Sequence, residues 1–377
     1  MRSQSMPRFA RMVGEAMQDR GHQVTYWAPQ DRFHRLFAHT RLAKWAGYVD
    51  QYLLFPLEVK RRLKSCPPQS LYVFCDQALG PWVPLVAHLP HVVHAHDLLA
   101  LRSALGLIPE NPTSFTGRLY QRYIRHGFQR ARHFISVSHR TRRDLDTYGG
   151  VYALTSEVVY NGLNYPYRPM RRDEALATLQ GAGAPLGEQG HILHIGGGQW
   201  YKNTAGVIQL YAQYASRHAH PLPLLMVSPQ PTAPDVLAAL AAVPAQGSVI
   251  FKQGLDNEAV RAAYSLARAL LFPSLAEGFG WPIIEAQACG CPVITTDEAP
   301  MNEIGGPLTQ YLPVLRTDTN MAEWSSDGAD RLEALMQAHA AHPQDHQVRL
   351  LQWAGQFTQQ QAIDAYARIY ERVLACR

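Results

Sequence analysis

Short runs of β-branched and aromatic residues alternate with longer stretches of helical periodicity along almost the whole chain. This is the pattern of parallel strands joined by crossover helices. In the first half, strands are predicted over 24–28 (VTYWA), 71–75 (LYVFC), 91–96 (HVVHAH), 133–137 (HFISV) and 157–160 (EVVY). In the second half they are predicted over 191–195 (HILHI), 223–228 (PLLMVS), 248–252 (SVIFK), 269–272 (ALLF) and 292–296 (PVITT). At 377 residues the chain exceeds what one core usually supports, so two doubly wound sheets are expected. Asn161-Gly162, Pro166, Pro169, Gly181, Gly183, Pro185 and Gly187 concentrate turn formers in 161–188, which reads as a domain connection. The expected division is an N-terminal domain over 1–168, a linker over 169–188, a C-terminal domain over 189–355, and a helix over 356–377 that packs back across the domains. That helix closes a helical pattern running from 346 to 375, with Tyr366, Ile369, Tyr370 and Val373 at i, i+3, i+4, i+7.

The opening departs from the doubly wound pattern, which normally begins with a buried strand and a glycine turn. Here Met1-Arg2-Ser3-Gln4-Ser5-Met6-Pro7 leads at once into a helical run, Arg8 to Arg20, closed by Gly21. The first N-terminal strand is therefore expected to be missing, because the chain starts downstream of a native start or because the gene is truncated.

A 47% hydrophobic and 17% charged composition excludes disordered, collagen-like and mucin-like classes. The net charge of +5 comes with basic clusters at Lys60, Arg61, Arg62, Lys64 and at Arg140, Arg142, Arg143. It suits an anionic partner such as a nucleotide diphosphate or an acidic membrane face, but falls short of a nucleic-acid-binding stripe. Solvated faces account for the clusters equally well. Five cysteines, odd in number and without C-x-x-C spacing, point to a reducing compartment and away from zinc or a disulfide framework. With no recognisable leader and no run of about eighteen apolar residues, the expected location is cytoplasmic, or peripheral at the inner face of the membrane. Residues 44–64 set Trp45, Tyr48, Tyr52, Leu53, Leu54 and Phe55 between basic ends, as either an interfacial docking segment or ordinary core.

The chemistry concentrates in 273–291, PSLAEGFGWPIIEAQACGC. It follows the predicted strand ALLF and ends in a helical run, so it lies at the carboxyl end of a parallel strand, where open α/β sheets bind ligands. Gly278 and Gly280 let backbone amides approach a ligand, and a helix start after Pro282 favours an anion. Glu285 on the first turn can accept two hydrogen bonds from the vicinal hydroxyls of a ribose. A sugar nucleotide meets all three conditions. By themselves, Glu277 and Glu285 read better as an exposed loop acid and a favourable first-turn acid, and it is the glycines, the proline and the strand context that reverse this.

Glu277-Gly278-Phe279-Gly280-Trp281-Pro282-Ile283-Ile284-Glu285-Ala286-Gln287-Ala288-Cys289-Gly290-Cys291-Pro292-Val293 resembles, at nearly every position, the E-x7-E segment of retaining GT-B glycosyltransferases of family 4. Ile195-Gly196-Gly197-Gly198-Gln199-Trp200-Tyr201-Lys202-Asn203 is similar to the family's glycine loop, whose lysine binds the donor diphosphate. Many relatives add an arginine beside that lysine, and Tyr201 and the glycines stand here instead. His96-Asp97-Leu98 resembles the family's H-D-L, whose histidine faces the interdomain cleft; a structural histidine is the alternative, and a metal pair with His94 lacks a third ligand. Phe134 to Ser138 with Thr141 to Leu145, Val158 to Gly162, and Pro300 to Gly305 resemble further family segments, so the likeness spans about 8–375.

The resemblance implies a GT-B fold: two Rossmann-like domains facing a cleft, the N-terminal one binding acceptor and the C-terminal one binding donor. It implies a retaining, hexosyltransferase-class enzyme moving sugar from a nucleotide diphosphate sugar to a saccharide or lipid-linked acceptor, in polysaccharide or glycolipid biosynthesis. Glu277, His96 and Lys202 would be catalytic, and Gly196, Gly197, Lys202, Gly278, Phe279, Gly280 and Glu285 would bind the donor. No metal, no other cofactor and no nucleic acid would be needed. Both glutamates belong to one segment, which favours front-face attack over the double displacement of carboxylates flanking the bond. The alternatives are a sugar-nucleotide epimerase or a phosphorylase of the same fold, or a non-catalytic binding subunit of a polysaccharide assembly machine.

Overall fold

The computed structural model describes residues 5–184 and 186–376. Met1–Gln4 and Pro185, on which part of the expected opening and linker rests, lie outside them. The chain forms two compact units, one holding residues up to Val159 together with the segment from Gln360, the other holding Tyr160–Gln359.

The first unit is built on a parallel sheet of β1 (Tyr72–Phe74), β2 (His91–Ala95), β3 (His133–Ser136) and β4 (Thr155–Val158), in that order. Every residue of β2 and β3 is buried, as near-continuous apolar runs in a parallel sheet require. The predicted strand over 24–28 forms no ladder. Its Val24 packs on the core and its Trp27 ring lies 5.8 Å from that of Tyr72. Such a sequence reports fit to a half-buried pleated surface, and here the extended chain finds the packing without the hydrogen bonds. The first helix, Ser5–Gln18, begins at the first described residue.

That helix and the closing helix, Gln359–Ala375, supply Phe9, Val13, Met17, Ile363, Tyr366, Ile369, Tyr370 and Val373 to one core with Val92 and Ile135 of the sheet. The i, i+3, i+4, i+7 stripe is therefore spent on the N-terminal sheet. His94 Nε2 and the Tyr370 hydroxyl share a 2.6 Å hydrogen bond inside this core. A second core forms from Val83, Val93, Leu101, Ile124, Phe128, Phe134 and Leu145. There Gly80 and Gly127 let helix Phe115–Phe128 meet the 3-10 helical segment Gln77–Leu85 backbone to backbone, since a Cβ on Gly127 would stand 2.1 Å from the Gly80 carbonyl oxygen.

The second unit holds a six-stranded parallel sheet: β5 (His191–Ile195), β6 (Leu224–Val227), β7 (Val249–Lys252), β8 (Ala267–Phe272), β9 (Val293–Thr296) and β10 (Gln310–Leu312). The order β10-β9-β8-β5-β6-β7 reverses direction between β5 and β8. The crevice outside the carboxyl ends of strands at such a switch point is where open α/β sheets take ligands.

The expected boundaries shift. Helix Arg172–Gly181 fills the expected linker, burying Ala175 and Leu179. Arg261 donates to the carbonyls of Arg168 at 2.9 Å and Pro169 at 3.2 Å, and the Met170 amide donates to Ser265 Oγ at 3.1 Å. This segment is fastened into the second unit, so the division falls at Val159 rather than at 168. Gly181 and Gly183 close a helix there instead of marking open coil. The pattern over 346–375 divides into Pro343–Ala354 in the second unit and Gln359–Ala375 in the first, rather than one helix continuing through.

Tyr370→Phe leaves a buried imidazole nitrogen without its partner. It should lower the unfolding free energy by about 1–3 kcal/mol in urea titrations. Ile369→Ala on the same helix should cost about 2–5 kcal/mol.

Candidate donor site

The switch point carries two loops. After β5 the chain turns through Gly196-Gly197-Gly198, with Gly198 at φ +78°, into a 3-10 helical turn, Trp200–Lys202, and then helix Thr204–Ser216. A Cβ on Gly196 would lie 2.8 Å from His194 Nε2 and 3.2 Å from Lys202 Cβ, so only glycine leaves this turn undisturbed. After β8 the chain runs through 273–280, reaches Gly280 at φ +100°, and enters helix Trp281–Ala288 with Pro282 in its first turn.

Three links stitch these loops together. The Leu275 amide donates to the Tyr201 carbonyl at 2.8 Å, Asn203 Nδ2 donates to the Pro273 carbonyl at 3.0 Å, and Lys202 Nζ donates to Glu277 Oε1 at 2.7 Å. Asn203 adopts a left-handed backbone (φ 53°), a conformation that asparagine tolerates better than most residues. The Lys202 and Glu277 side chains are only 13% and 10% exposed, and the ammonium also lies 4.6 Å from the Phe272 ring centroid. A charge-assisted bond so withdrawn from water fixes both groups beside the glycine turn.

Glu285 does not stand on the first turn: the helix already begins at Trp281, so the carboxylate falls one turn in and is buried. Its Oε2 accepts from the Tyr264 hydroxyl at 2.9 Å. Burial pushes its carboxyl from an ordinary 4.5 up to about 7, against the opposing pull of the Tyr264 hydrogen bond and the Lys202 charge. Phe279 is buried and packs against Tyr160, Trp281 and Phe357, while Trp281 Nε1 donates to the Gly162 carbonyl at 3.1 Å. Phe279 thus shapes the loop from beneath. His194, at the end of β5, donates from Nδ1 to the Leu271 carbonyl at 2.8 Å, and burial lowers its pKa to about 4, so the ring under the glycine turn is neutral.

The structure therefore brings Lys202, Glu277, Gly196, Gly197 and the segment from Gly278 to Glu285 to the carboxyl ends of two adjacent strands. His96 belongs to the other unit. Its Nε2 donates to the Cys75 carbonyl at 2.9 Å, its amide donates to Gln77 Oε1 at 3.0 Å, and burial lowers its pKa. Its ring meets Phe9 edge-on at 4.6 Å, and Thr141 Oγ1 donates to its carbonyl at 3.2 Å. Arg142, on helix His139–Asp144, is half-exposed and 3.9 Å from Asp146. Among the described residues no group of three or more His, Cys, Asp or Glu side chains is placed to hold a metal ion. Tyr264 and Asn203 are the site residues that spacing alone does not assign. Asn203 ends the glycine motif and was legible as its last letter, but Tyr264 reads as one more apolar position on helix Asn257–Leu266.

The fold and this loop pair define a GT-B type of protein. The chain is similar in structure to sucrose-phosphate synthase from Thermosynechococcus elongatus, at TM-score 0.70 and 17% identity over 98% of this chain and 93% of that one. It is also similar to Anabaena HepE in complex with UDP-glucose, at TM-score 0.61 and 18% identity over 83% and 82%. The Glycosyltransferase Family 4 model matches residues 6–165 and the Glycosyl transferases group 1 model matches residues 182–307. Together these matches support a family-4 type of glycosyltransferase. It is 31% identical to O-antigen chain mannosyltransferase B of Escherichia coli over 37% of its length, and 23% identical to O-antigen chain mannosyltransferase RfbU of Salmonella typhimurium over 51%. These matches span 36% and 50% of the two relatives' own lengths.

Two outcomes follow from the geometry. Lys202→Met strands a buried carboxylate and should destabilise the protein by about 3–5 kcal/mol, and adding Glu277→Leu should recover much of that loss in a double-mutant cycle. Because the folded-state pKa of Glu285 is raised, its contribution to stability is fully present below 4.5 and lost as pH rises through about 7. Glu285→Gln should remove that pH dependence, on the order of 3 kcal/mol across the interval, as read from unfolding free energies at the two ends.

Proposed function

We propose that the protein is a retaining glycosyltransferase that moves a hexosyl group from a nucleotide diphosphate sugar to an acceptor hydroxyl. The observation that carries this reading is the Lys202–Glu277 pair, set beside a glycine turn at the switch point of the second sheet. An ammonium held against a carboxylate in a largely dry crevice is prepared to exchange that partner for a diphosphate. The freed carboxylate is then an acceptor for sugar hydroxyls.

In this reading Lys202 and the amides of Gly278 to Gly280 stabilise charge that grows on the leaving diphosphate, an arrangement that needs no reorganisation at the moment of reaction. These groups, rather than a metal or organic cofactor, carry the phosphate charge. Gly196 and Gly197 let the chain approach the phosphates, and Glu285, oriented by Tyr264, receives the ribose hydroxyls. Held by Tyr264 and buried, Glu285 is badly placed to act as a nucleophile, which favours front-face attack with the leaving phosphate accepting the acceptor's proton. His96, as a neutral ring, helps position the sugar or its acceptor.

The O-antigen names of the two relatives favour a saccharide or lipid-linked acceptor in polysaccharide or glycolipid assembly. The free thiols of Cys66, Cys75, Cys289, Cys291 and Cys376 suit a cytoplasmic setting.

A panel of nucleotide sugars, read by thermal stabilisation, should pick out one donor. Its consumption should then require acceptor, with the anomeric configuration kept in the product. Glu277→Ala and Lys202→Ala should each lower transfer by roughly a hundredfold or more. Consumption without acceptor would instead identify an epimerase, and near-normal turnover in either variant would remove its assigned role.

A further inference from the structure

Residues 32–64 and 115–128 together carry eleven Lys or Arg against two Asp or Glu, a net +9 in a chain whose total is +5. The rest of the chain is therefore net negative, and basic charge is concentrated in two segments of the N-terminal unit. Both acids are already engaged: Asp50 is buried and accepts from the amides of Phe33 and His34 at 2.9 and 2.8 Å, and Glu58 pairs with Arg62. The two segments meet, since the hydroxyls of Tyr52 and Tyr120 lie 2.8 Å apart and the rings of Tyr52 and Tyr123 lie 5.5 Å apart.

The same segments hold exposed apolar side chains. Trp45, Leu53, Leu57 and Phe115 are between 60% and 73% exposed, and Leu119 is also exposed. Scattered exposed leucines are ordinary on a protein surface, but these recur at helical spacing. Leu53 and Leu57 continue along one helical face into Lys60, Arg61 and Lys64, and Phe115 and Leu119 continue along another into Arg122 and His126. Core packing accounts for Phe55 and Val59 in this stretch, which are buried, and leaves Leu57, Lys60, Arg61 and Lys64 exposed on the other side of the helix.

We propose that this face docks the protein on an anionic lipid bilayer. Aliphatic and indole groups would enter the boundary between headgroups and acyl chains, while Lys60, Arg61, Lys64, Arg118 and Arg122 meet the lipid phosphates. Exposed leucines distinguish it from a saccharide platform, where flat aromatic rings would be expected alone. Among the described residues no helix is long and apolar enough to cross a membrane. The face is independent of the donor site, and it places the N-terminal unit where a lipid-linked acceptor would be.

The test is flotation of the full chain with vesicles of phosphatidylcholine and phosphatidylglycerol, against vesicles of phosphatidylcholine alone. The protein should float with the anionic vesicles and be released as salt is raised. Trp45→Ser with Phe115→Ser, and separately Lys60→Glu with Lys64→Glu, should each lower the bound fraction roughly tenfold or more. Circular dichroism, melting temperature and the nucleotide-sugar thermal shift should stay those of the wild type. Failure of the wild type to float, or variants that float equally well, would overturn the proposal. So would a concentration-dependent dimer that Trp45→Ser with Phe115→Ser dissociates in light scattering. Flotation without any nucleotide-sugar shift would support this face while counting against the transferase reading.

Discussion

A lysine and a glutamate 75 residues apart in sequence, 2.7 Å apart in space and mostly out of water, set the terms for the rest of the second unit. Ionised groups cannot be withdrawn from solvent singly without a large cost, so the loops that carry them must arrive together or not at all. The switch between β5 and β8 makes this possible by putting two strand ends side by side. Gly196, Gly198 and Gly280 then supply backbone conformations and clearances that let both loops fold back over those ends. The links from Tyr201 to Leu275 and from Asn203 to Pro273 hold the pair in register.

The same logic of partnered burial organises the N-terminal unit, with a different outcome. His94 is sealed among Phe9, Tyr366 and Tyr370, and burial lowers its pKa to about 3, so it serves as a neutral packing element. Two residues on, His96 keeps a hydrogen bond to the Cys75 carbonyl and is likewise held neutral. The closing helix seals this core with residues from the far end of the chain. The N-terminal fold is therefore complete only after synthesis has passed through the whole second unit.

Much of this was legible in sequence, because a buried parallel strand announces itself as a continuous apolar run. HILHI corresponds residue for residue to β5, and the E-x7-E segment to the loop and helix after β8. What was not legible depended on neighbours rather than on local pattern. VTYWA has strand composition but forms no ladder. β10 spans only three residues, Gln310–Leu312, too few to show a period. Helix Arg172–Gly181 hid behind glycines that end it. The depth of Glu285, which stands one turn into helix Trp281–Ala288, could not be read from local spacing, since its partner Tyr264 comes from a different helix 21 residues earlier. That Lys202 and Glu277 would bond to each other was equally hidden, although each was marked by its own motif.

A crystal structure with the nucleotide diphosphate sugar selected by the panel would bear on the account where it is most exposed. Lys202 Nζ should leave Glu277 for a diphosphate oxygen, with a sugar hydroxyl taking its place on the Glu277 carboxylate. A bound donor whose diphosphate lies elsewhere, with the 2.7 Å Lys202–Glu277 bond intact, would contradict it.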